Sequence, residues 1–163
     1  MDSLEKTFND MFVKNAPFQI PEKGRKWIAD YAWIFALIGL IVGGFWFLGV
    51  LSVLGIFSIV ATAAGVGGYV LFSWLSLLIL GAYLVVLGIS VPKLKAKQLS
   101  GWKLTYYSML FFFVYDILNF VAYLGAGALM GLLWNLLWLV AALYVLFQVR
   151  SQFKGADKPA TKK

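Results

Sequence analysis

Residues 31–92 read YAWIFALIGLIVGGFWFLGVLSVLGIFSIVATAAGVGGYVLFSWLSLLILGAYLVVLGISVP, 62 positions without one charged side chain. A hydrocarbon core about 30 Å thick is crossed by about 20 apolar residues in a helix. The run is too long for one buried helix and long enough for two crossings. A second apolar stretch, 104–149, covers 46 residues and carries a single charge, Asp116. By the same rule it also holds two spans. Gly-rich breaks supply the turns, AAGVGG at 63–68 and GAG at 125–127. The predicted spans are 32–54, 70–91, 104–123 and 129–147. Residues 55–68 exceed what a tight turn needs; they either continue the first helix or lie in the membrane interface.

Composition agrees with this reading. The chain is 62% hydrophobic and 13% charged, against roughly 25% charged in soluble domains. There is room for one all-α polytopic bundle, four transmembrane helices arranged as two antiparallel hairpins. The expected division is an N-terminal segment, 1–26, a membrane domain, 27–150, and a basic, disordered tail, 151–163. Neither His nor Cys occurs. Their absence removes thiolate and imidazole metal sites, Ser-His and Cys-His catalysis, lipidated cysteines and disulfides. No phosphate loop or nucleophile-base pair stands out, so no enzyme activity, metal or cofactor is expected. About 26 residues precede the first apolar run, which is too long for a leader's core, so that span is expected to stay in the mature chain.

Charge sets the orientation. Lys93, Lys95, Lys97 and Lys103 fall in the middle loop with no acid among them. Lys23, Arg25 and Lys26 precede the first span, and Arg150, Lys154, Lys158, Lys162 and Lys163 follow the last. The two outer turns carry no charge. Cytoplasmic loops accumulate Lys and Arg, so all three basic segments are expected on the cytoplasmic side of a cell membrane, with both termini inside. The net charge of +7 is read as topology and attraction to anionic lipid headgroups, not as a nucleic-acid footprint. Trp27, Tyr31, Trp33, Trp102, Tyr106 and Tyr107 are expected in the inner aromatic belt, and Tyr69, Trp74, Tyr123 and Trp134 in the outer one.

Before the spans, Asp2 and Glu5 have the spacing of a capping box. Leu4, Phe8, Met11 and Phe12 then recur at helical intervals, with Lys6, Asp10 and Lys14 off the stripe. This predicts an amphipathic helix lying on the inner leaflet until Pro17 and Pro21 stop it.

Inside the spans, Asp116 draws attention first, because a charged Asp at a helix centre costs about 2.5–3.5 kcal/mol on insertion scales. Phe112, Asp116, Asn119 and Tyr123 share a helical face. Asn135 lies about as far from the outer turn as Asn119 does. Asp116, Asn119 and Asn135 are therefore a candidate polar cluster, open to two readings. A buried carboxyl can relay protons or cations, with Tyr83 as a further pathway residue. Alternatively, it holds two helices together through a hydrogen bond worth roughly 0.6–2 kcal/mol. No intramembrane Lys, Arg, Glu or second Asp accompanies it, which favours the structural reading. Gly39-Leu-Ile-Val-Gly43 and Gly127-Ala-Leu-Met-Gly131 match the small-residue packing motif, and Gly81 and Gly88 share a face. Trp27-x3-Tyr31 and Trp102-x3-Tyr106 hint at an internal duplication.

Residues 101–108, GWKLTYYS, with 143–151, LYVLFQVRS, resemble small four-span membrane proteins common in bacteria of the candidate phyla radiation. The resemblance implies a bacterial cytoplasmic membrane and transfers no functional residue. The expected function is non-catalytic helix packing, as an accessory subunit or a homo-oligomer. The alternative is a small oligomeric transporter or channel with its pathway past Asp116.

Overall fold

The structure, a computed structural model, describes residues 3–65, 67–122 and 126–154. They form an all-helical chain: α1 (Ser3–Asn9), a π-helical turn (Asp10–Lys14), α2 (Glu22–Ala63), α3 (Gly67–Lys95), α4 (Leu99–Ala122), α5 (Ala126–Val149) and a 3-10 turn (Arg150–Gln152). Four of these helices are long and apolar enough to cross a membrane.

α2 begins where Pro21 fixes the backbone; its carbonyl accepts the Arg25 amide at 2.9 Å, and Glu22 places an acid in the first turn. From there it runs 42 residues, about 63 Å. Residues 55–63 continue the first helix, and it ends where Gly65 takes a left-handed φ of 78°. α3 runs past Pro92 to Lys95, so the middle loop shrinks to a tight turn. Gln98 N–H donates to the Lys93 carbonyl at 2.9 Å and Lys97 N–H to the Leu94 carbonyl at 2.9 Å, with Lys97 at φ 52°. This is the Schellman pattern, and it satisfies two of the last carbonyls of α3.

Each long helix packs on the next in the chain. Gly39 faces Leu87, Gly43 faces Leu84 and Gly81 faces Phe47 between α2 and α3. Tyr83 lies 5.4 Å from Phe112 between α3 and α4, and Trp102 reaches Leu146 between α4 and α5. The most extensive packing is between α3 and α4, across the middle turn, and α2 and α5 touch only sparsely. The core gathers at one end of the bundle, around Ala29, Leu94, Trp102, Tyr106, Phe147, Val149 and Phe153.

That end holds most of the departures from expectation. Trp102 and Tyr106, assigned to an interfacial belt, are 0% and 3% exposed, while Trp27 and Tyr31 at the matching spacing are 55% and 44% exposed. The two Trp-Tyr pairs therefore occupy unlike surroundings. Residues 151–154, assigned to the tail by composition, are packed: Phe153 is buried, and Lys154 pairs with the 97–99 backbone through bonds of 2.8 and 3.2 Å. The inserted aromatic ring is what holds them.

Candidate functional site

Asp116 sits on α4, 7% exposed. Asn135 on α5 donates from Nδ2 to its Oδ1 at 3.0 Å. Asn119 turns its amide to the Tyr115 carbonyl, one turn back, at 2.8 Å. The structure thus brings Asn135 onto Asp116 and spends the Asn119 donor inside α4, because a carbonyl four residues back always competes for a short polar side chain. Tyr115 in turn accepts at its hydroxyl from Trp46 Nε1 at 3.3 Å, tying α2 to α4. Tyr83 stacks at a tilt on Phe112 and is half-buried. Tyr123 lies outside the described residues. Among the described residues no group of three potential metal-ligating side chains comes together. Asp116→Leu should cost about 1–2 kcal/mol more than Asp116→Asn in detergent unfolding, because only the asparagine still pairs with Asn135. Equal stability of the two variants would refute a helix-joining bond.

The second constellation lies at the opposite end of α4 and α5. Arg150 Nη2 stands 3.1 Å from Glu5 Oε1, and both side chains are almost wholly buried, 8% and 3% exposed. The contact is ionic, off the angle of a hydrogen bond. The same guanidinium lies 5.4 Å from the Trp102 ring centroid, a cation–π contact. Trp102 donates from Nε1 to the Leu146 carbonyl at 2.7 Å. The N-terminal segment is fastened over this group. Gln148 Nε2 donates to the Phe12 carbonyl at 2.6 Å, and the Tyr144 hydroxyl donates to the Phe18 carbonyl. Phe8 packs on Tyr106 and Phe147, and Phe12 on Tyr144 and Phe147.

The expected amphipathic stripe is therefore split, with Phe8 and Phe12 turned to the bundle and Leu4 and Met11 48% and 53% exposed. Glu5 serves Arg150, whose buried charge needs a counter-ion; Asp2, its expected capping partner, lies outside the described residues. Nothing local in the sequence points to Glu5 with Arg150, since the partners are 145 positions apart.

The chain matches no protein-family model, no curated protein and no solved structure.

The remaining candidates divide by environment. Gly39 and Gly43 pack against α3; a Cβ on Gly43 would come 2.7 Å from Leu84 Cδ2. Gly81 and Gly88 meet Phe47 and Leu40 of α2. Gly131 faces open space, and the surroundings of Gly127 lie outside those described. Of the middle-turn lysines, Lys97 pairs with Asp30 and Lys95 lies 5.0 Å over the Trp33 ring. Lys93 is crossed closely by Gly101, and Lys103 is half-buried.

Proposed function

We propose that this is a non-catalytic integral protein of a bacterial cytoplasmic membrane. Its four helices cross as two hairpins with both termini cytoplasmic, and it acts by packing against other membrane helices, in a homo-oligomer or as an accessory subunit. The lysines of the middle turn face anionic headgroups.

The outer part of α2 carries this reading. Trp33 under Lys95 marks an inner boundary, and 20 residues further brings the helix to about Val53. Residues 54–63 continue uncharged for about 15 Å more. Ile56 and Ile59 there are 71% and 76% exposed, and Leu71 on the facing part of α3 is also exposed. Trp74 Nε1 bonds Ser58 Oγ at 3.0 Å, which braces this extension. An apolar overhang of that length exceeds what modest tilt accommodates and asks for a protein cover.

Gentle extraction followed by mass measurement of the intact complex tests the reading. The expected species is heavier than one 18.2 kDa chain with its detergent and lipid, and Ile59→Glu dissociates it. Isolated single chains at membrane-like density would overturn it. The Asp116–Asn135 contact favours one second reading, a proton or cation pathway through an oligomer; proton flux into vesicles, abolished by Asp116→Asn, would establish that reading instead.

A further inference from the structure

Between α2 and α5 the small side chains of Ala32 and Ala36 on one helix and Ala141 and Ala142 on the other line a common gap. Side chains this small do not fill the gap, and a cleft of about 590 Å³ remains. It opens sideways past Phe35 and Trp138, both exposed. Its floor includes Thr105 and Ser108, whose hydroxyls are spent on the Gly101 and Thr105 carbonyls, so the floor offers a ligand little polarity.

The dimensions select an occupant. The walls extend from Ile28 to Gly39 on α2 and from Trp138 to Val149 on α5, about 16 Å along each helix. Half of a hydrocarbon core is about 15 Å; the cleft matches that length and starts about 8 Å on the cytoplasmic side of Trp33. An extended alkyl chain spans that length, and the lining side chains are mostly apolar.

Charge selects the headgroup. Arg25 stands one turn before Ile28 on the same face of α2, at the end of the cleft where Val149 and Leu94 lie. Its Nε is buried and has no hydrogen-bond partner. Among the described residues no carboxylate is within ion-pair distance of it: Asp30 is held by Lys97, Glu5 by Arg150 and Asp10 by Lys14, and neither Glu22, one turn back, nor Asp116 forms an ion pair. A guanidinium one turn beyond an apolar slot, with no carboxylate at ion-pair distance, is complementary to a phosphate carrying a chain.

We propose that the α2–α5 cleft binds one acyl chain of an anionic phospholipid, with the lipid phosphate held by Arg25. The site rests on the membrane-spanning reading and is independent of how copies assemble.

The test uses the full chain in an uncharged detergent, titrated with phosphatidylglycerol or phosphatidylcholine at equal mole fraction. Thermal unfolding is followed alongside the number of lipids retained in native mass spectra. Phosphatidylglycerol is expected to raise the unfolding temperature by several degrees more than phosphatidylcholine. Arg25→Gln removes the difference, Ala141→Leu reduces retention of both lipids, and Lys14→Gln, a change in general basic charge at an exposed side chain, leaves the preference intact. An equal response to both lipids, a preference surviving Arg25→Gln, or the same rise from inorganic phosphate alone would overturn the proposal. If Arg25→Gln does not fold, the natural protein's lipid preference and the Ala141→Leu retention decide. Failure of the membrane reading shows separately, as a protein that stays dissolved without detergent.

Discussion

Gly101→Ala should lower the unfolding temperature of the solubilised protein far more than Gly131→Ala. At Gly101 an added Cβ would stand 2.6 Å from the Leu94 amide nitrogen and 2.7 Å from the Lys93 carbonyl carbon. Those are backbone atoms held in the Schellman turn, so no side chain can swing aside. Crowding of a packed interior typically costs about 1–3 kcal/mol. Here the upper end or beyond is expected, because relief requires α4 to move from α3 along the bundle's most extensive interface. Gly131 has open space around the same position, and its replacement should be neutral or stabilising by up to about 1 kcal/mol from helix propensity. Thermal unfolding of both variants in one detergent is the measurement. Similar shifts would show that α3 and α4 are not in contact at this turn.

Arg150→Met should release the N-terminal segment, and Glu5→Leu in the same chain should restore much of the loss. Removing one partner of a buried ion pair leaves the other charge uncompensated and costs about 3–5 kcal/mol, whereas replacing both by apolar groups is often nearly neutral. The single variant also forfeits the cation–π contact with Trp102. The segment is held by few elements, so the loss should appear as local opening before the bundle unfolds. Hydrogen exchange over residues 3–14 reads this directly. Fast exchange is expected in Arg150→Met, with protection largely recovered in the Glu5→Leu, Arg150→Met double variant. Unchanged protection in the single variant would mean that Phe8 and Phe12 alone hold the segment.

The contrast between these two sites shows what sequence can convey. Four long apolar helices follow from the lengths of two apolar runs that hold one charge between them, because the cost of charge in hydrocarbon is large and acts on every residue. Which aromatic turns inward is a different matter. Trp102 and Trp27 begin identical Trp-x3-Tyr patterns, yet one is buried under Arg150 and the other is exposed. The difference lies in a partner segment far away in the chain. Glu5 has a convincing local use as a cap, and nothing near it in the sequence points to the buried guanidinium it meets. The polar residues of the spans repeat the lesson. Distance from a turn sets the level of Asn119 and Asn135, but rotation about the helix axis and the Tyr115 carbonyl decide which amide meets Asp116. The α2–α5 cleft is legible only in retrospect, as alanines and a glycine at helical spacing on two helices that are not neighbours in sequence.

Glu5 and Arg150 are separated by every one of the four long helices. While the chain is being synthesised, Phe8 and Phe12 emerge well before their receiving surface, Tyr144 to Arg150. Until α5 is in place, those aromatics have nothing to dock against. Closure of this clamp therefore reports that α5 has packed, and a chain truncated within α5 would leave Phe8 and Phe12 uncovered for proteases to find.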